Sequence, residues 1–203
     1  MSLPPGFLDD LRTRDIKEMF TGAPLPDALA SANAYLGAFP IAAALDAGAE
    51  VVITGRCVDS AVTLGVLTHE FGWQPDDYDQ LAAGTLAGHI LECGAQATGG
   101  NFTDWRLVAD TMADIGYPIA EIAASGDFEV SKPEGTGGLV SVGTVSEQML
   151  YEIGDPQAYR LPDVTCDFSA AKIEQVGDDL VAVAGAKGYA PSSTYKTCLT
   201  FQD

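Results

Sequence analysis

The stretch from Tyr78 to about Ala97 constrains this chain more than any other. Its spacing predicts one long helix started by Asp76 or Asp77, yet it carries Gly84, Gly88 and Gly94. Each glycine costs a helix about 1 kcal/mol relative to alanine. Such a helix persists only if tertiary packing compensates, and the side thinned by glycine implies another backbone lying close against it. Upstream, Glu50–Thr54 (EVVIT) is short, apolar and β-branched. It predicts an inner strand of a parallel or mixed sheet, leading through GRCVDS into a helix from about Ser60 to Phe71. The stretch from Ala49 to Trp105 thus forms a strand–loop–helix unit plus the long helix, and the chain is arranged around it.

The flanks read more simply. Pro4–Phe20 predicts a short amphipathic helix with Phe7, Leu8, Leu11, Ile16 and Phe20 on its apolar side. Asp27 can cap a helix running through Leu36, and Pro40 suits the first turn of the next, which Gly48 ends. After Tyr117 the texture changes. PIAEIAASGDFEV predicts a hairpin around Ser125–Asp127. KPEGTGG is a glycine-rich loop, LVSV a strand, and TVSEQMLYEIG a short helix with Thr144 and Glu147 as a capping box and Gly154 at its end. PDVTCDF, AKIEQVGDDLVAV (turning at Gly177–Asp179) and TYKTCLTF complete the strands. The expected class is therefore mixed α/β. A helix-rich part, residues 1–117, surrounds a buried parallel or mixed sheet, and a mostly antiparallel strand-rich part spans 118–203. MSL before Pro-Pro resembles an added leader, and the final strand has no partner after it, so the reading is of a piece of a longer protein.

Composition excludes several functions. The chain has 203 residues, 29 acids against 10 Lys and Arg, and a formal charge of −19. Such a surface repels nucleic acid and anionic lipid. No apolar run approaches the roughly 20 residues that span a bilayer. Cys57, Cys93, Cys166 and Cys198 lack C-x-x-C spacing, so reduced thiols and a cytoplasmic setting are expected.

Candidate chemistry gathers at element ends, where open α/β sheets place their sites. Arg56 can meet an anion at the start of the following helix, although Asp59 or Ser60 can equally serve as plain helix caps. His89 and Glu92 fall one helical turn apart, with Cys93 and Gln96 on the same face. A histidine held by a carboxylate suits acid–base work; a histidine bonded within a helix seam accounts for the same pattern. With His69 the only other histidine, no metal ligand set is assigned. Gly99 and Gly100, followed by Asn101, Thr103 and Asp104, can form a backbone nest for a carboxylate or phosphate. Lys132, Thr136, Gly137 and Gly138 offer a second such loop. Either can also be a structural turn. Neither is a P-loop, and no dinucleotide or G-x-S-x-G signature occurs, so no cofactor is assigned.

Taken together, ANAYLGAFPIAAALDAGAEVVITGRCVDSAVTLG, LAAGTLAGHILECGAQATGGNFTDW, ADIGYPIAEI and KPEGTGGLVSVGTVSEQMLYEIGDP resemble the acyclic terpene utilisation protein A (AtuA) family, formerly a domain of unknown function. The likeness runs from about Leu25 to Tyr195, and Cys57 departs from it where an apolar residue is expected. It implies a bacterial cytosolic protein in the breakdown of citronellol- and geraniol-like compounds, whose acids are handled as CoA thioesters. It supplies a pathway but no reaction. On this reading the chain is an enzyme or enzyme subunit acting on a branched acyl-CoA or small carboxylate. Arg56 and Asn101 would anchor the ligand, Asp59 and Asp104 would orient it or act as bases, and His89 with Glu92 would be a further acid–base pair. The alternative is a non-catalytic partner of a pathway enzyme such as a carboxylase, with the glycine-lined helix and the Thr194–Phe201 edge as contact surfaces. A homo-oligomer fits either. A ligand-binding regulator fits poorly, because a DNA-binding charge is missing.

Overall fold

The computed structural model describes residues 6–202; residues 1–5 and Asp203, with the start of the helix expected from Pro4, lie outside them. The class is mixed α/β, with helices mostly in the first half and strands in the second. The helices are α1 (Phe7–Thr13), α2 (Phe39–Asp46), α3 (Ala61–Phe71), α4 (Tyr78–Glu92) and α5 (Val142–Leu150). The strands are β1 (Ser31–Ala34), β2 (Ile119–Ile122), β3 (Phe128–Ser131), β4 (Tyr159–Arg160), β5 (Thr165–Asp167), β6 (Lys172–Gly177), β7 (Leu180–Ala184), β8 (Lys187–Tyr189) and β9 (Thr197–Thr200). They form three sheets of order β1-β9, β2-β3-β7-β6 and β4-β5-β8, all with antiparallel pairing.

α4 is the structural centre. Every residue from Leu81 to Ile90 is buried, as expected of a helix that is apolar on all sides. Its glycines meet their neighbours as their spacing implies. A Cβ on Gly88 would lie 2.7 Å from the Ser60 carbonyl oxygen, and one on Gly84 would lie 2.8 Å from both Leu64 and Trp73. α3 therefore docks on α4 nearly backbone to backbone. The opposite sides carry Phe128, Val130, Val181 and Val183 from the four-stranded sheet, with Cys166 and Phe168 from the three-stranded one, so one core cluster draws on both halves of the chain. The helix stops sooner than expected. Gly94 adopts φ 53°, a left-handed geometry that suits glycine, and a 3₁₀ turn (Gly94–Thr98) follows.

Several local expectations are corrected. Glu50–Thr54 is not a strand: Val51 and Ile53 are 79% and 92% exposed, and α4 occupies the interior that a buried parallel strand would have filled. Among the described residues only isolated bridges, Leu36–Cys57 and Ile115–Gly137, are parallel. The helix expected after Asp27 is instead β1, because β9 pairs with it from Ser31–Thr200 to Ala34–Thr197; a long-range partner overrides weak local propensity. The same pairing supplies the partner strand that TYKTCLTF lacked. α1 covers only Phe7–Thr13, leaving Ile16 and Phe20 exposed. Leu139–Val140 is no strand. Ser141, not Thr144, caps α5, and Thr144 closes the capping box; the left-handed residue beyond the helix is Glu152 (φ 59°) rather than Gly154. The hairpins at Ser125–Asp127 and Gly177–Asp179 stand where their turn residues place them.

One carboxylate ties the halves together. Asp163, at the tip of the β4–β5 hairpin, is buried and accepts from the Ala38 N–H at 2.7 Å and from the Phe39 N–H, capping α2 from outside its own segment. Asp163→Ala is expected to cost about 1–2 kcal/mol, as for loss of a helix cap. Burial, the largest cause, raises the carboxyl above its usual range despite the two N–H bonds. Its folded value therefore exceeds its unfolded one, so this group's titration favours the fold most below about pH 3.9. That contribution is lost as pH rises through the folded value. Urea melts of the parent and Asp163→Asn, compared from pH 3.5 to 6, are expected to show the parent losing ground to the variant as pH rises; a constant difference would refute the assignment.

Candidate functional site

Where α4 ends, the chain leaves a cleft of about 780 Å³. β1 contributes Asn33, the loop before α3 contributes Arg56 and Asp59, α4 contributes Glu92 and the residue beyond it Cys93, and the kink after α5 contributes Glu152. The Arg56 guanidinium lies 5.2 Å from the Tyr35 ring centre and 4.0 Å from the Asp59 carboxylate, with both charged side chains at least half exposed. An exposed pair at that distance is weak, so Arg56 stays available to an anionic or carbonyl oxygen.

Behind the cleft wall sits His89, whose side chain is 2% exposed, with Nδ1 2.9 Å from Oε1 of Glu92. The two side chains are in contact, and Glu92 also lines the cleft. Nε2 is buried with no hydrogen-bond partner; its ring faces Tyr159 at 6.1 Å. The backbone carbonyl of His89 accepts from Nε2 of Gln148 at 2.9 Å, which fixes α5 against α4. Burial first, then the nearby Glu92 carboxylate, pushes the Tyr159 hydroxyl up to about 12. Cys93 is likewise raised by burial first and then by Glu92, Glu152 and Asp59, despite a hydrogen bond from Gln148. A thiol held protonated is a poor nucleophile.

A second cleft of about 450 Å³ opens beside the first, lined by Gln96, Asn101, Thr103, Glu147, Gln148 and Tyr151. Arg56 and Asn101, expected to anchor the same ligand, thus open into different clefts. The Gly99–Gly100 turn spends its amides internally: Gly99 N–H donates to Gln96, Gly100 N–H to Ala95, and Phe102 N–H to Gly99. Thr103 N–H donates to Oε2 of Glu147 at 2.9 Å. Asp104 is exposed at the start of a 3₁₀ turn (Trp105–Leu107) and lines neither cleft.

The other glycine loop is committed to the fold in the same way. The buried Lys132 ammonium donates to the Thr136 carbonyl at 2.8 Å and lies 3.1 Å from Asp179. The Thr136 hydroxyl donates to Pro133, Gly137 N–H to Asp114, and Gly138 N–H to Thr111. Of the residues singled out in the sequence, the structure therefore brings Arg56, Asp59, Glu92 and the buried His89 to one cleft. It sends Asn101 and Thr103 to its neighbour. The residue that sequence reasoning missed is Glu152. It carries no motif, and it sits at a left-handed backbone position beyond α5. Among the described residues no group of three or more His, Cys, Asp or Glu is placed to hold a metal ion, and His69 is engaged by Asp46. No described helix is long and apolar enough to cross a membrane.

No curated protein and no solved structure matches this chain. A family model does, described as acyclic terpene utilisation family protein AtuA, and it covers residues 7–203. With nearly the whole length matched, the chain belongs to the acyclic terpene utilisation (AtuA) family.

Proposed function

We propose that this chain works in the bacterial cytoplasm as an enzyme, or an enzyme subunit, of acyclic terpene breakdown. Its substrate is a branched acyl-CoA or a related small carboxylate, and its site is the first cleft. The observation that carries this reading is Glu92, set in the cleft wall and backed by the buried His89 at 2.9 Å. Arg56, on the same cleft, meets the carboxylate or carbonyl oxygen of the substrate. Glu92 then takes or delivers a proton next to that carbonyl, while His89 holds its other side and Asp59 steadies Arg56. Proton transfer by a positioned carboxylate typically contributes 10²–10⁴-fold to rate. Three carboxylates against one guanidinium make the cleft a poor seat for coenzyme phosphates, so the acyl end enters it and the phosphates stay outside.

Titration calorimetry with citronellate tests the anchor. A hydrogen bond to a charged group contributes about 1.5–3 kcal/mol, so Arg56→Ala is expected to weaken binding by roughly 10- to 100-fold. Unchanged affinity in a folded variant would remove the first cleft as the site.

A second reading, a non-catalytic partner of another pathway enzyme, is favoured by the exposure of Val51, Ile53, Val62 and Val66. The glycines of α4 do not serve it, since Gly84 and Gly88 are used inside the core. Co-purification of the tagged chain from terpene-grown cells tests it: elution as the chain alone counts against a partner.

A further inference from the structure

The second cleft has a chemical character unlike that of the first. Its polar lining includes the carboxamides of Gln96, Asn101 and Gln148, with Thr103 and Tyr151 beside them, and Glu147 is its only charged residue. A carboxamide offers donors and an acceptor together, so this wall matches a neutral ligand that carries both. Gln148 is held in place by its bond to the His89 carbonyl, and Glu147 by the Thr103 N–H. Oε1 of Gln96 is buried without a partner, an arrangement that is costly in a finished core and explicable where a ligand donor completes it.

The two clefts are also neighbours by construction. Cys93 and Gln96 lie three residues apart and line the first and second cleft respectively. Tyr151 and Glu152 are consecutive, yet one faces the second cleft and the other the first. Glu152 holds φ 59° at that ridge, a backbone geometry unfavourable for a residue with a Cβ. Gln148 spans the same boundary, lining the second cleft while bonding the Cys93 thiol of the first.

We infer that the second cleft is the subsite for the amide-bearing pantetheine arm of a thioester substrate whose acyl end occupies the first cleft. The inference rests on the acyl-thioester reading above and extends it. The arm is neutral and carries two amides, which suits a carboxamide wall with no Lys or Arg, and it crosses the Tyr151–Glu152 ridge from the reacting carbonyl.

Pantetheine and citronellate, titrated separately into the full chain by calorimetry, test this. Gln96→Leu and Asn101→Leu are expected to weaken pantetheine about 10-fold or more while leaving citronellate unchanged; Arg56→Ala is expected to do the reverse. Gln96→Leu also removes a buried unpartnered acceptor, so its thermal stability is expected to hold or rise, which a purely structural glutamine would not give. No pantetheine binding to the parent chain, or binding to both second-cleft variants as tight as to the parent, overturns the subsite while citronellate binding keeps the first-cleft reading. Pantetheine binding that both variants weaken, without any citronellate binding, overturns the first-cleft reading and leaves the arm site standing.

Discussion

Replacing Gly188 with alanine is expected to lower the melting temperature by roughly 10 °C, among the largest effects of any single methyl group in this chain. Gly188 lies in β8, where a Cβ would fall on the backbone carbonyl of Tyr78 at the start of α4. Neither side can yield cheaply. The Gly188 N–H donates to Oδ1 of Asp79 at 3.0 Å, and Lys187 bonds the same carboxylate at 2.8 Å, so the strand is pinned to the first turn of α4. Overpacking usually costs 1–3 kcal/mol and occasionally more. With backbone against backbone we expect about 3–5 kcal/mol, at 2–4 °C per kcal/mol for a chain of this size. A calorimetric scan that finds a shift under about 3 °C would show that β8 can slide away from α4.

Glu92→Gln is expected to reduce flux through the pathway step by 10²–10⁴-fold, the range for losing a positioned acid–base group, with little loss of stability. Glutamine is nearly the size and shape of glutamate, so the contact with His89 survives while the proton-carrying oxygen does not. His89→Ala is expected to behave differently. It removes a fully buried side chain and leaves Glu92, only 12% exposed, without its neighbour, and large-to-small changes in a core cost about 2–5 kcal/mol. Growth on citronellol of a host lacking its own copy, read beside urea melts of both variants, separates the two. Normal growth with Glu92→Gln would end the acid–base role.

How much of this was legible in the sequence follows from how local each signal is. The turns at Ser125–Asp127 and Gly177–Asp179 are set by residues inside the turns, and they were read correctly. So was the burial of α4, since glycines in a helix imply a close neighbour wherever that neighbour comes from. β1 was read as a helix because its partner lies 169 residues away at Thr200, and nothing near Ser31 announces it. Val51–Ile53 have the composition of a buried strand, but composition does not say whether another element already fills the interior. At the site, His89 and Glu92 share a helix, so their spacing was visible. The separation of Arg56 from Asn101 was not, because it depends on how α5 and its left-handed exit divide the surface, and Glu152 owes its place to that same exit.

The register of β1 on β9, with the Asp163 bond to Ala38, has a consequence for how the chain is made. Synthesis proceeds at about 5–20 residues per second, so Ser31–Ala34 leave the ribosome roughly 10–30 s before Thr197–Thr200 exist. For that interval Ser31–Ala34 have no strand neighbour, and for most of it α2 also lacks the carboxylate that completes its start. Such distant pairing slows folding and leaves unpaired edges open to wrong partners. Ser31–Ala34 are therefore the strand left waiting longest, and β1 is secured only when β9 is made.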